Sequence, residues 1–195
     1  SNAFCQCDVP ELEAGVTYVQ VAAGGSHTVL LRSDGRVVAF GSNRDGRCDV
    51  PEPEAGATYV QIAAGGSHTV LLRTDGQAVA FGYNASGQCD VPELEAGVTY
   101  VQVAAGGSHT VLLRSDGRAV ACGCNRAGQC NFEPGATYTQ VAAGSMHTVL
   151  LRSDGRAVAC GRNYDGRCDV PELEPGASYA QVAAGSMHTV LLRGD

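Results

Sequence analysis

The segment Tyr18-Val-Gln-Val-Ala-Ala-Gly24 decides the fold, because close copies of it return along the whole chain. The later copies begin at Tyr59, Tyr100, Tyr138 and Tyr179, so that successive copies lie 41, 41, 38 and 41 residues apart. A fixed period in this range indicates stacked supersecondary units. One such unit cannot bury its own apolar surfaces, and neighbouring units must cover them. The sequence therefore predicts a repeat protein of five units within 195 residues.

Each unit contains three short runs with the composition of β-strands. In the first unit these runs are residues 17–23, 27–32 and 36–40, and Ser33-Asp34-Gly35 separates the last two as a tight turn. Short β-branched runs bounded by glycine-containing turns are typical of antiparallel strands. Pro and Glu dominate the segment that follows, so we interpret it as a connection to the next unit.

Alternation along the first run predicts that Val19, Val21 and Ala23 share one face, with Tyr18 and Gln20 on the opposite face. The runs are too continuously apolar for a sheet with one wet face, so both faces must be covered. Three-stranded meanders that pack face to face describe the blades of a β-propeller. We therefore predict an all-β fold, a β-propeller of five 38–41-residue repeats with three- to four-stranded antiparallel blades.

The two ends of the chain are predicted to complete each other. The segment Cys7-Asp8-Val9-Pro10-Glu11 aligns with Cys48-Asp49-Val50-Pro51-Glu52, and the last unit stops after its second strand. We therefore predict one propeller domain over residues 4–195, in which residues 4–17 complete the last blade and Ala3 to Gln6 form its third strand. Domain swapping and an open arc are the alternatives. We interpret residues 1–3, Ser-Asn-Ala, as the remnant of an expression tag.

Composition narrows the class of protein. All 13 basic residues are arginine, against 20 acidic residues, and the net charge of -7 disfavours binding to nucleic acid. No apolar run approaches the roughly 20 residues that span a bilayer, so no membrane segment is predicted. Five of the nine cysteines occupy one repeat position, which holds them apart and predicts free thiols. Free thiols favour an intracellular location, cytoplasmic or nuclear.

All five histidines also occupy one repeat position. The favoured interpretation is a structural histidine bonded to the adjacent turn; partner contact and metal binding are the alternatives. The cysteines are interpreted as compact core residues, although Cys122, Cys124 and Cys130 form a local cluster that could pair or hold a metal. Nothing matches a nucleophile elbow or a phosphate-binding loop, so we predict no enzyme, no metal site and no cofactor.

A unique function is expected where the repeats disagree, because catalysis or binding at one point needs residues that differ. The differing positions are Met146 and Met187 in neighbouring loops, Tyr83, Arg162 and Tyr164 after third strands, and a three-residue deletion near residues 131–133. An exposed methionine makes an adaptable apolar contact. The candidate partner-binding residues are His27, His68, His109, Met146, His147, Met187 and His188.

Residues 21–48 resemble the regulator of chromosome condensation repeat, through the elements Ala-Gly-x-x-His-Thr, Asp-Gly, Gly-x-Asn and Gly-Gln across the copies. This resemblance implies a propeller, usually of seven blades, that serves as a protein-binding platform; some members exchange guanine nucleotides on a small GTPase. The compact period is also similar to the bacterial β-lactamase inhibitor propeller, which has three-stranded blades. That inhibitor binds through aromatic residues in its first loops, whereas this chain has Gly, Ser or Met there.

The sequence thus favours a non-enzymatic protein-interaction scaffold, a repeat segment of a larger protein, whose partner is another protein. A nucleotide-exchange or enzyme-inhibitor module is one alternative. A ligand- or glycan-binding ring with one site per blade is another. If the ring does not close, self-association of the chain is a further expectation.

Overall fold

The computed structural model describes residues 2–194 and consists of five successive antiparallel sheets. Four sheets have three strands in chain order, and the last has two. The strands are β1 Tyr18–Ala23, β2 His27–Arg32, β3 Val37–Gly41, β4 Tyr59–Ala64, β5 His68–Arg73, β6 Ala78–Gly82, β7 Tyr100–Ala105, β8 His109–Arg114, β9 Ala119–Gly123, β10 Tyr138–Ala143, β11 His147–Arg152, β12 Ala157–Gly161, β13 Tyr179–Ala184 and β14 Thr189–Arg193. Among the described residues, no helix has the length and apolarity needed to cross a membrane.

The five sheets are the blades of a β-propeller, which confirms the predicted fold class. Loops of all five blades line one shallow depression, from residues 23–25 in the first blade to residues 184–186 in the last. Backbone bonds join these loops in sequence: the Gly25 amide donates to the Gly65 carbonyl at 3.1 Å, and the Gly66 amide donates to the Gly106 carbonyl at 3.1 Å. Consecutive blades therefore meet around a common axis.

The hydrophobic core lies between blades and not within them. At the first boundary, Val29 and Leu31 of one blade pack against Tyr59, Ile62 and Leu71 of the next. Three further clusters repeat this arrangement at the later boundaries. The three internal blades are thus covered on both faces by their neighbours, as the continuous apolar runs predicted.

The predicted alternation along the first strand is wrong at its start. The pairing register shifts between Tyr18 and Gln20, and the same irregularity recurs in the other first strands, for example between Tyr59 and Gln61. A bulge of this kind lets two residues that are three positions apart face the same way. Tyr59 and Ile62 consequently share one cluster, while Val60 between them is 49% exposed.

The arc of blades does not close by the predicted pairing of its ends. Within residues 2–194, β14 pairs only with β13, and residues 3–6 form no strand. Val21 in β1 is 66% exposed, whereas its repeat equivalent Ile62 is 4% exposed. Leu192 in β14 is 57% exposed, whereas its equivalent Leu113 is 4% exposed. Each end of the arc thus presents half of an interface that is complete at every internal boundary.

The segment before β1 packs on the first blade instead of completing the last one, because the Thr28 hydroxyl of β2 donates to the Gln6 carbonyl at 2.7 Å. The Asn2 side-chain amide donates a hydrogen bond to the Asp8 carboxylate at 2.8 Å, and its Oδ1 accepts one from the Cys7 backbone amide at 2.8 Å. Asn43 makes the same pair of contacts with Asp49 and Cys48, at 2.7 and 2.9 Å. Asn2 therefore occupies a repeat position, which argues against the tag interpretation for this residue. Ser1 and Asp195 lie outside the described residues.

We predict that one substitution at equivalent positions has unequal effects. Leu113→Ala removes a side chain buried between blades and should cost about 2–5 kcal/mol of unfolding free energy. Leu192→Ala removes an exposed side chain and should change the unfolding free energy by at most about 0.5 kcal/mol. Denaturant unfolding of both variants beside the parent measures the difference. Equal losses would show that the β14 face is covered in solution.

Candidate functional site

The repeat histidines hold neighbouring blades together. His27 Nε2 lies 3.0 Å from the Thr69 hydroxyl oxygen of the next blade. That hydroxyl donates its only hydrogen to the Arg47 carbonyl at 2.7 Å, so His27 Nε2 must carry the proton that Thr69 accepts. The same bonds recur for the next three histidines, at 3.0, 3.0 and 3.2 Å. We call each pair a His–Thr contact.

Close packing around the imidazole explains the glycine that follows each first strand. A Cβ atom added to Gly24 would lie 2.2 Å from the His27 ring and 2.6 Å from the Gly65 carbonyl. Only glycine leaves room for both the ring and the neighbouring backbone. Burial lowers the pKa of His27, His68 and His109 to about 4, so these rings are neutral near pH 7.

A glutamine in the first strand of each of the first four blades forms a second link to the next blade. Gln20 Oε1 accepts the Ile62 amide of the next blade at 2.8 Å, and Gln61 accepts the Val103 amide at 2.8 Å. The pattern repeats at the remaining boundaries. Gln181 holds the equivalent position in the last blade and is exposed. The polar contacts, like the apolar ones, are complete only where a following blade exists.

Four of the five histidines that the sequence analysis named as partner-binding candidates are buried by these contacts between blades, and the fifth is exposed. His27, His68, His109 and His147 are at most 1% exposed, so none offers surface to a partner in this conformation. His188 is exposed, and residues 2–194 contain no following blade whose threonine could bond it. Residues 2–194 contain no group of three or more His, Cys, Asp or Glu side chains that could hold a metal ion.

All nine cysteines are free thiols. Burial raises the pKa of Cys122 and Cys160 to about 12, and that of Cys89 and Cys130 to about 11. Cys122 contacts the Gln88 carbonyl and Cys130 contacts the Cys124 carbonyl, each at 3.5 Å. A thiol held protonated in this way is a poor nucleophile and a poor metal ligand.

Four of the positions at which the repeats disagree come together near the last blade, whereas Tyr83 follows β6 in the second blade. Arg162 lies over the Tyr164 ring, 4.6 Å from its centroid, and its guanidinium contacts the Met146 sulfur at 3.6 Å. The adjacent loop is joined to that of Met146 by a bond from the Ser145 amide to the Ser186 carbonyl, and it carries Met187. Tyr164 is 83% exposed and Met187 is 62% exposed. We call Met146, Arg162, Tyr164 and Met187 the loop patch.

A cavity of about 500 Å³ runs beside β14, next to the loop patch. Met187, His188, Thr189 and Leu191 line one side of it, and residues 165–167 line another. In the other blades a third strand occupies the matching place beside the second strand. We call this cavity the β14 groove.

Sequence reasoning named the two methionines, His188, Arg162 and Tyr164, and the structure brings them to one end of the arc. It missed the threonine that follows every histidine and the glutamine of every first strand. Their recurrence at a fixed position in all five copies is the signal that could have identified them. It also missed the β14 groove, because the predicted strand from Ala3 to Gln6 would have filled it.

The His–Thr contacts predict a pH-dependent stability. The pKa of His109 falls from 6.5 to about 4 on folding, so between these pH values the unfolded chain binds more protons and stability falls as the pH falls. Lowering the pH from about 7 to about 4.5 should therefore reduce the free energy of unfolding by about 2–3 kcal/mol for one such histidine. His109→Gln should lower stability at neutral pH and reduce this acid-dependent loss. Denaturant unfolding at both pH values measures it, and an unchanged pH dependence would contradict the assignment.

The thiols should differ in reactivity. Cys7 is exposed, whereas Cys122 is partly buried and its pKa is raised. We expect iodoacetamide to modify Cys7 at least about tenfold faster than Cys122 near neutral pH. Mass spectrometry of a labelling time course gives both rates for the same sample. Similar rates would show that β9, the third strand of the third blade, which carries Cys122, opens readily.

The repeats match a known protein family. The model of the regulator of chromosome condensation (RCC1) repeat matches residues 18–47, 59–88, 100–129 and 138–167, which is one match in each of the first four blades. No curated protein sequence is similar enough to count as a match.

Several solved structures share the fold. Prp20p of Saccharomyces cerevisiae superposes with a TM-score of 0.79 at 21% identity, over 91% of this chain and 55% of that chain. Yeast RCC1 (Prp20), solved bound to Kap60, gives a TM-score of 0.74 at 24% identity, over 91% and 54%. Human WBSCR16 gives 0.78 at 20% identity, over 94% and 61%. The chain therefore spans between about half and three fifths of the length of these relatives. Since the family model covers more than half of the sequence, the chain belongs to the regulator of chromosome condensation (RCC1) repeat family.

Proposed function

We propose that this chain is a non-enzymatic scaffold that binds another protein through the loop patch. The observation that carries the proposal is the position of the differing residues. Met146, Arg162, Tyr164 and Met187 differ from the residues at the same positions of other repeats, and they lie together at one end of the arc.

The chemistry of the loop patch suits contact with a protein. Tyr and Arg supply much of the binding free energy in protein interfaces, and an exposed methionine adapts to varied apolar surfaces. The guanidinium of Arg162 is held over the Tyr164 ring, so less conformational freedom is lost when a partner binds. A net charge of -7 favours a protein over a nucleic acid as the partner.

The family supports the class of partner without naming it. Prp20p is described by its binding to Gsp1p and histones, and yeast RCC1 was solved with Kap60. Identities of 20–24% support a common fold and not common partners. A non-enzymatic role also fits the buried histidines and protonated thiols, which form interfaces between blades instead of a reactive cluster.

The proposed domain is a propeller segment within a longer repeat protein. Its relatives are almost twice as long as the part of them that it covers, and both terminal blades have an uncovered apolar face. Further blades would cover those faces. Nine free thiols favour a reducing compartment and therefore an intracellular location.

Site-specific photo-crosslinking tests the proposed surface. A photoreactive amino acid at Tyr164 or Met187 should crosslink a protein partner in a cell extract, whereas one at Val60 should not. Val60 is a matched control because it is also exposed and lies in the second blade, whereas the loop patch lies on the fourth and fifth blades. The partner is then purified, and Tyr164→Ala with Met187→Ala should weaken its binding at least about tenfold. Equal crosslinking at Val60, or unchanged binding by the double variant, would overturn the proposed site.

A further inference from the structure

The arginines of the chain differ in whether a carboxylate lies beside them. Six form ion pairs, namely Arg32, Arg47, Arg73, Arg114, Arg152 and Arg167. Three more donate their backbone amides to a turn aspartate, namely Arg36, Arg118 and Arg156. In the part of the chain that the structure describes, no carboxylate pairs with Arg44, Arg126 or Arg162. These three are exposed and follow third strands, in loops that we call the exit loops (residues 42–47, 83–88, 124–129 and 162–167).

The exit loops lie at the opposite end of the blades from the acidic connections. The Arg162 amide donates to the Met146 carbonyl just before β11 at 2.9 Å, whereas Glu133 pairs with Arg152 at the last residue of β11. Six residues of extended chain span about 20 Å. This length is about twice the Debye length near physiological ionic strength. The carboxylates of the connections therefore do little to repel an anion at Arg162, despite the net charge of -7.

The aspartates nearest to Arg162 in the sequence are bonded within their own loop. Asp165 pairs with Arg167, and the Asp169 carboxylate accepts a hydrogen bond from the Asn163 side-chain amide at 2.6 Å. Within residues 2–194, the Arg162 guanidinium contacts only the Met146 sulfur, at 3.6 Å, and the face of Tyr164. A guanidinium has five N–H donors and a thioether is a weak acceptor, so most of these donors are available to a ligand.

Apolar groups surround this cation in the loop patch. The Tyr164 ring is 83% exposed beneath the guanidinium, and Met146 and Met187 lie on the adjacent loops. Arginine binds a carboxylate through two parallel N–H donors, which fixes the direction of approach. Methionine and tyrosine side chains accept an apolar group beside it. The loop patch is thus complementary to an acidic residue with a large apolar neighbour.

We propose that the loop patch selects a segment of a partner protein in which Asp or Glu adjoins a large apolar residue, and that Arg162 recognises the carboxylate. The inference rests on the proposed function, of which it specifies the chemistry of the partner. Charge complementarity carries it, since Arg162 is an exposed cation whose nearest carboxylates are already bonded elsewhere. The apolar neighbour would pack against Tyr164 and Met146.

Selection from a phage-displayed library of random twelve-residue peptides, carried out on the whole chain, tests the proposal. We expect the enriched peptides to share an Asp or Glu next to a large aliphatic or aromatic residue. Fluorescence anisotropy of a labelled synthetic copy should show saturable binding that about 1 M NaCl weakens at least about threefold, because salt screens the charges. Enrichment of peptides without an acidic residue, or no enrichment at all, would overturn the proposal.

Reversal of the charges makes the test specific for Arg162. Arg162→Glu should weaken binding of the selected peptide at least about tenfold, because two carboxylates then face each other. The same peptide with lysine in place of its acidic residue should bind Arg162→Glu at least about fivefold more tightly than it binds the parent. This gain would also show that the variant is folded. A loss of the first contact without the gain of the second would contradict the assignment of Arg162.

Arg44 provides a matched control for the charge reversal. It is exposed and lies over the Phe4 ring, 5.8 Å from the centroid, much as Arg162 lies over Tyr164. It belongs to the first blade, so Arg44→Glu changes the net charge equally without altering the loop patch. We expect it to leave peptide affinity within about threefold. Equal losses in the two variants would show that net charge determines binding and would overturn the proposal.

Two further outcomes separate this inference from related ones. A peptide with phosphoserine in place of the acidic residue that binds at least about tenfold more tightly would assign the loop patch to a phosphopeptide and overturn the choice of a carboxylate. If the selected peptides are neutral but Tyr164→Ala with Met187→Ala weakens their binding, the inferred chemistry is wrong and the proposed function stands. If neither that double variant nor Arg162→Glu weakens binding, both proposals fail.

Discussion

The structure depends on one constraint: a blade can remove its apolar faces from water only by packing against another blade. Val29 and Leu31 face away from their own sheet. They are buried because Tyr59 and Ile62 of the next unit pack against them. Burial of apolar surface is the main stabilising contribution to folding. Each unit is therefore stabilised mainly by its contacts with neighbouring units. At the two ends of the arc, one apolar face stays uncovered within the described residues.

Polar contacts give those boundaries their geometry. A His–Thr contact and a glutamine bond to a backbone amide recur at every internal boundary, at nearly constant lengths. Buried polar groups are costly unless they are bonded, so a misaligned blade would lose these bonds and leave their partners unsatisfied. The apolar residues supply the attraction, and the polar pairs fix the angle and the register between neighbours.

Much of the fold was predictable because the repeat presents the same local signals five times. The strand runs, the Asp-Gly turns and the covered faces follow from composition and spacing alone. The bulge at Tyr18 was not predictable, since alternation gives no sign of an irregular residue pair. The burial of His27 depends on a threonine 42 residues away in the sequence, and closure depends on the angle between blades, which no local pattern encodes. At the candidate site, Met187 and Tyr164 could be identified because they differ from their repeat equivalents, whereas the β14 groove is defined by a strand that the last blade lacks.

The third unit carries a shorter connection to the next one, and this difference has an evolutionary consequence. His109 and Thr148 are 39 residues apart instead of 42, yet their contact remains 3.0 Å long. Length changes in the outer connections are thus absorbed without disturbing the boundary. Unequal recombination within such a gene can insert or delete whole units while every surviving junction still fits, so the number of blades is free to vary faster than the sequence of any one of them.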